Sequence, residues 1–177
     1  MKLTVMILAA SLGAVACASG PANQPMTGAV AQLQNTIGNT TNGTVNFTSS
    51  GGKVSVSGEV RGLKPNAEHG FHVHEKGDCS SGDGMSTGGH FNPDGKPHGN
   101  PDNHGAMAHH AGDFPSLKAD ATGVARFSFE TTAITVGSGS TDVVGKGLIV
   151  HTNPDDYTTQ PTGNAGGRVA CAVIVNS

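Results

Sequence analysis

The sequence predicts an all-β domain, built as a sandwich or a barrel. Short runs that alternate apolar and polar residues, or are rich in β-branched ones, recur along the chain. Gly, Asn and Ser separate these runs, and the 27 glycines among 177 residues supply the sharp turns such a fold needs. No stretch carries the spacing of a long amphipathic helix.

Taken in order, Ala29 to Gln34, Thr44 to Thr48 and Lys53 to Arg61 form the first group of strands. Asn42-Gly43 and Gly51-Gly52 are hairpin signals, because two-residue turns want positive φ at both positions. Glu68 to His74 follows, with Phe and Val alternating with His. Val124 to Glu130, Leu148 to His151 and Arg168 to Val175 complete the set. Regular short strands with such turns suit a sandwich or barrel. No internal repeat and no second domain are visible.

The chain has nine histidines, and most fall in one segment. That concentration points to a metal site, with two metals. On a strand, His72 and His74 share one face while Phe71 and Val73 point into a core. Two imidazoles on a rigid strand can chelate one ion, and imidazole suits zinc, copper, iron and nickel. The competing reading of a bare His-x-His is two exposed strand residues. His90 follows Gly88-Gly89, where the backbone can bend sharply. His98, His110 and Asp113 lie in a segment rich in Gly, Pro, Asn and Asp, which reads as a long ordered loop. A loop with so little apolar content needs something to order it. A zinc ion held by three histidines and a carboxylate would do so. The alternative is a flexible, histidine-rich metal-scavenging loop.

These runs resemble the bacterial, periplasmic copper-zinc superoxide dismutases. The matching segments are GFHVHEKGDC (Gly70 to Cys79), GGHFNP (Gly88 to Pro93), KPHG (Lys96 to Gly99), HAGD (His110 to Asp113), GLIVH (Gly147 to His151) and GNAGGRVACAVI (Gly163 to Ile174). They cover nearly all the chain from about Thr27 onward. The resemblance implies an eight-stranded antiparallel Greek-key barrel, the eighth strand lying near Asp113 to Lys118. Two long loops accompany it, a metal-binding loop and a C-terminal loop of the electrostatic type. The sandwich architecture of this family is a stock example of the class, so that agreement is not independent.

Position by position, the resemblance implies that His72, His74 and His151 hold copper and that His90 bridges copper and zinc. His98, His110 and Asp113 complete the zinc set, with His109 a competitor of His110. His104 and His109 are otherwise solvated loop residues. His69 supports the copper ligands from behind, and Asp155 links the two metal sites through hydrogen bonds. Arg168 resembles the arginine that attracts and positions the anion, a role suited to a permanently charged, rigid fork of donors. The implied reaction is dismutation of superoxide to dioxygen and hydrogen peroxide, with one copper and one zinc per subunit. Copper changes oxidation state, and His90 takes up and returns a proton. Two bound cations favour a deprotonated bridging imidazole. The resemblance also pairs Cys79 with Cys171, and an oxidising compartment permits that bond.

The first residues read as an export signal. Lys2 supplies a positive charge, Leu3 to Val15 an apolar core, and small residues follow. The stretch is too short and poorly flanked to span a membrane. Cleavage after Ala18 gives a signal peptide over residues 1–18, a flexible segment over 19–26 and the domain over 27–177. The favoured product is soluble and periplasmic; cleavage before Cys17, with lipid attached there, is the alternative. The remaining chain is long enough for one substantial core.

The formal net charge is −3, and −4 once Lys2 leaves with the leader, so anion attraction must be local, from Arg168 and the metals, with Lys146 a further contributor. The acidic balance and the lack of a basic patch exclude nucleic-acid binding. A metal-buffering protein could use the same histidines, yet it needs neither His151 nor Arg168. A zinc-only or copper-only relative would lack one ligand set. A cytosolic copper-delivery protein is disfavoured by the leader and by the absence of a Cys-x-x-Cys pair. A homodimer is an open expectation; the sequence does not separate it from a monomer.

Overall fold

The computed structural model describes residues 27–102 and 109–177. The expected signal peptide, the 19–26 segment, Cys17 and His104 lie outside the described residues. Nine strands are assigned: β1 (Thr27–Asn35), β2 (Asn42–Ser50), β3 (Lys53–Arg61), β4 (Glu68–His69), β5 (Phe71–His74), β6 (Leu117–Lys118), β7 (Ala125–Thr131), β8 (Gly147–His151) and β9 (Arg168–Asn176). Seven form one antiparallel sheet in the order β5-β8-β9-β1-β2-β3-β7, and β4 pairs with β6, which neighbours β7.

The seven strands expected from the residues alone all appear, but two details differ. The single strand expected over Glu68 to His74 is interrupted at Gly70. There the backbone turns to other partners: Gly70 N donates to Asn153 O, and Gly70 O accepts from His151 N, at 2.7 and 2.8 Å. Counting β4 and β5 as one interrupted strand gives the eight strands of a Greek-key barrel, with the eighth reduced to Leu117–Lys118. Asn42-Gly43 is not a turn. It opens β2, paired with Arg61 and Val60 of β3. A side chain at Gly43 would run into the Glu59 carbonyl, so glycine there serves close strand approach. Gly51-Gly52 is the hairpin expected, with φ of 59° and 80°.

Alternation fills the barrel. Ala29, Ala31 and Leu33 of β1, Val45 and Phe47 of β2, and Val54, Val56 and Val60 of β3 are buried. Phe71 sits at the centre, its ring 5.5 Å from Phe114 and 5.3 Å from Phe127. Aromatic pairs at such spacing add to the area they bury.

Residues 75–116 run across the outside of this barrel with a single 3-10 turn, Met85–Thr87, among the described residues. Backbone bonds sew the run to β5: Phe91 N donates to Val73 O, Val73 N to Gly112 O, and Gly112 N to Phe91 O, all between 2.8 and 2.9 Å. A disulfide joins Cys79 in this run to Cys171 in β9, across 92 residues. Closing so long a loop restricts the unfolded chain, by about 4–5 kcal/mol in the chain-entropy picture. Replacing both cysteines by Ala is therefore expected to lower the unfolding free energy by about that amount in guanidinium titrations. A loss below about 1 kcal/mol would show that the bond adds little to folding.

Candidate metal centre

Strand alternation, a strand end and the long loop converge on one cluster. His72 and His74 leave β5 on the face opposite Phe71 and Val73, and all four are buried. His151 ends β8, where the register with β9 shifts between Val150 and His151; such irregularities re-aim a side chain. His90 enters from the loop through an isolated bridge to His74, and Asp113 through one to His72. The residue after each of these loop groups is a core aromatic, Phe91 or Phe114, which anchors it.

Two sets of donor atoms result. His72, His74, His90 and His151 bring one ring nitrogen each within 4.8 Å of one another, and so do His90, His98, His110 and the Asp113 carboxylate. His90 belongs to both. His110, not His109, takes the place in the second set; His109 instead donates from Nδ1 to the His110 carbonyl at 2.7 Å.

A neutral imidazole offers one N–H and one lone pair, and the partner of the first decides where the second points. His74 Nδ1 donates to Gly88 O at 2.9 Å, and His151 Nδ1 to Gly166 O at 3.3 Å. His72 Nε2 donates to Asp155 Oδ2 at 2.6 Å, and His90 Nδ1 to Asp113 Oδ1 at 2.9 Å. The four remaining nitrogens, His72 Nδ1, His74 Nε2, His90 Nε2 and His151 Nε2, are buried with no hydrogen-bond partner. Buried polar atoms left this way are costly unless something coordinates them. Four convergent imidazole lone pairs suit copper.

The second set is built around Asp113. Its carboxylate meets His90 Nδ1, lies 3.3 Å from His110 Nδ1, and accepts the His110 and Gly99 amides at 2.9 and 3.2 Å. His98 Nδ1 is 3.0 Å from Oδ2 but off the hydrogen-bonding direction. Three imidazoles and one carboxylate are a zinc donor set.

Asp155 joins the two. It accepts from His72 Nε2 through one oxygen and from His98 Nε2 through the other, at 2.6 and 2.8 Å. Gly163, at φ +65°, leaves the space for this contact; a side chain there would occupy the place of the Asp155 oxygen and crowd His98 Nε2. His69 supports the centre from behind, with Nδ1 donating to the His151 carbonyl at 2.8 Å. Arg168 pairs with His151 across β8 and β9 and is half-buried against the loop. Lys146 is engaged elsewhere, over the Phe91 ring and donating to Glu75 O.

Several residues that hold this arrangement carry no sequence signal. Gln160 clamps the His98 backbone, accepting from its amide and donating to its carbonyl, both at 2.8 Å. The Tyr157 hydroxyl accepts the Ser116 amide at 2.9 Å, and the Tyr157 amide donates to Asp155 Oδ1 at 2.7 Å. Apart from the Tyr157 amide bond to Asp155, two residues away, these bonds join residues some forty to sixty positions apart and leave no local pattern to read.

Burial sets the protonation states. Desolvation lowers the pKa of His72, lowers those of His74 and His151 strongly, and brings His90 down to about 4, so these rings stay neutral. Burial also works against charge on His98, but the adjacent Asp113 carboxylate and the hydrogen bond to Asp155 outweigh it and raise its pKa to about 9. Desolvation opposes ionisation of Asp113 and Asp155, yet histidine hydrogen bonds hold both below the usual carboxylate range.

Fold and site together define a β-barrel protein with two adjacent, buried metal-binding sets that share one imidazole. The chain matches the family model of copper/zinc superoxide dismutase (SODC) over residues 41–174. It is 42% identical over 138 residues to a Superoxide dismutase [Cu-Zn] of Paramecium bursaria Chlorella virus 1, covering 75% of this chain and 71% of that one. It is 45% identical over 139 residues to Superoxide dismutase [Cu-Zn] 2 of Brassica juncea, covering 75% and 88%. The crystal structure of the clock protein EA4 superposes with a TM-score of 0.75 at 38% identity, over 90% of this chain and 99% of that chain. The chain belongs to the copper/zinc superoxide dismutase family, and it is a copper- and zinc-binding oxidoreductase that dismutates superoxide.

Metal ligands must be deprotonated, so the two sets respond differently to pH. A zinc ion held by the second set would displace the proton of His98, whose pKa is about 9. Zinc affinity of the chelator-stripped protein is therefore expected to rise between pH 6.5 and 9, by up to about tenfold per pH unit, with release of about one proton at pH 7. Competition titrations and buffer-dependent calorimetry read both; pH-independent zinc binding over that range would refute the assignment.

Proposed function

We propose that this chain is an exported, envelope-resident superoxide dismutase of the bacterial type. His72, His74, His90 and His151 are its copper ligands; His90, His98, His110 and Asp113 are its zinc ligands. The observation that carries the metal assignment is the set of four orphaned, convergent imidazole nitrogens. Copper, when bound, exchanges single electrons with superoxide in both directions, and zinc adds fixed positive charge without redox chemistry. The chain supplies the rest. His90 turns Nδ1 toward Asp113, on the side of the zinc set, so Nε2 is the atom that takes up a proton and gives it back. Arg168 donates three of its five N–H groups to Gly84 O, Thr87 Oγ1 and Gly88 O. The other two have no protein acceptor among the described residues and meet the anion. Burial lowers the pKa of Arg168, but a guanidinium remains charged at any pH of interest.

Export is supported by the leader-like residues 1–18 and by a disulfide that an oxidising compartment would maintain. No helix among the described residues is long and apolar enough to cross a membrane. A homodimer is supported by the large apolar side chains exposed among the described residues, Val173 and Val175 on the outer face of β9, with Ile37 and Met85.

Stopped-flow measurement of superoxide decay tests the enzyme. The protein loaded with copper and zinc is expected to accelerate decay, the copper-free form is not, and Arg168→Ala is expected to lose about tenfold or more in kcat/KM. No decay with one copper per chain would move metal buffering to first place. For export, the full chain expressed in a Gram-negative host is expected in the osmotic-shock fraction with Ser19 as its first residue. A membrane-bound product carrying lipid on Cys17 would favour the anchor, and an uncleaved cytosolic product would refute export.

A further inference from the structure

Thr87 closes the 3-10 turn Met85–Thr87 and is completely buried. Its hydroxyl donates to the Gly84 carbonyl at 2.8 Å. A carbonyl can only accept, so the one hydroxyl proton is used there, and the oxygen lone pairs are left for Nη1 of Arg168, which donates to it at 2.7 Å. Nη1 also donates to Gly84 O and Nη2 to Gly88 O, both at 2.7 Å. The methyl of Thr87 faces Gly147 at the start of β8, where a side chain would come within 2.8 Å of Cγ2. The two halves of this side chain thus do different things: the methyl packs, and the hydroxyl addresses the guanidinium.

Three acceptors for three N–H groups fix a planar fork in a way that two carbonyls do not. With Gly84 O and Gly88 O alone, the second Nη1 proton would face a buried wall, and the fork could tilt to recover a partner. The structure assigns Thr87 as a positioning residue for the reaction. Its hydroxyl uses the second Nη1 proton and holds Arg168 in the plane from which the two remaining N–H groups meet an anion. This rests on the reading of Arg168 as the anion guide, and the experiment separates the two.

Azide serves as the probe anion, titrated by absorbance into the copper- and zinc-loaded wild type, Thr87→Ser, Thr87→Val, Thr87→Ala and Arg168→Ala proteins. Thr87→Ser keeps the hydroxyl and loses the methyl; it is expected to stay within about twofold of wild type in azide affinity. Thr87→Val keeps the shape and loses the hydroxyl; it is expected to weaken azide about 5–20-fold, with kcat/KM for superoxide falling in parallel. Thr87→Ala carries the same expectation without added bulk, so a folding defect in the Val protein does not end the test. A merely structural role would make azide affinity follow the thermal midpoint, with Ser as weak as Ala. That pattern, or unchanged affinity in Thr87→Val and Thr87→Ala while Arg168→Ala weakens azide, would overturn the role of Thr87. Unchanged affinity in Arg168→Ala would overturn the anion-guide reading itself, and the Thr87 role with it.

Discussion

The centre depends on one constraint: an imidazole buried out of water must be neutral, and a neutral imidazole must place its single N–H. Each ring of the copper set meets it with a different acceptor: the Gly88 carbonyl, the Gly166 carbonyl, Asp155 or Asp113. Satisfying that demand leaves the lone pair no freedom, and the four lone pairs are thereby aimed at one another. The same burial that makes the rings costly keeps them deprotonated and ready to coordinate. Of the two carboxylates, Asp155 connects the sets, joining His72 to His98, and Asp113 belongs to the second set itself.

Rigidity comes from the barrel. His72 and His74 cannot move without Phe71 and Val73, which fill the core. His90 and Asp113 are each followed by a phenylalanine in the same core. The loop between them, which has no helix or strand among its described residues, is therefore fixed at the two points that matter. The last loop is tied on by polar bonds instead: Asp155 to two imidazoles, Gln160 to the His98 backbone, Tyr157 to Ser116. An apolar interface between the loops would do the same work with less angular control, since hydrogen bonds fix direction as well as distance.

What could be read from the sequence follows from the range over which each determinant acts. Alternation acts locally, so the barrel strands and the common face of His72 and His74 were legible from the residues. Gly51-Gly52 obeys a local rule of turn geometry and formed the hairpin expected. Asn42-Gly43 has the same local form, but its glycine answers to Glu59 on the neighbouring strand, which the dipeptide cannot reveal. Gly70 likewise breaks its strand because Asn153 and His151, some eighty residues on, take its hydrogen bonds. The choice between His109 and His110 was open for the same reason, and burial around Asp113 decides it. Thr87, Gln160 and Tyr157 are ordinary polar residues until the fold brings their partners to them.

The Gly88 carbonyl links the four-histidine set to Arg168. It accepts from Nδ1 of His74 at 2.9 Å and from Nη2 of Arg168 at 2.7 Å. Gly88 has φ 74° and ψ −147°, a conformation reserved in practice for glycine, and a side chain there would run into Glu75. One backbone oxygen is thus the common reference for a ring of the four-histidine set and for the Arg168 guanidinium. The disulfide ties the 79–88 segment to β9, the strand on which Arg168 stands. The last loop, residues 152–167, contains two aspartates and no lysine or arginine, and the chain as a whole is acidic. Attraction of an anion from a distance therefore has little to work with, and the fixed geometry around Gly88 must do at short range what long-range charge does not.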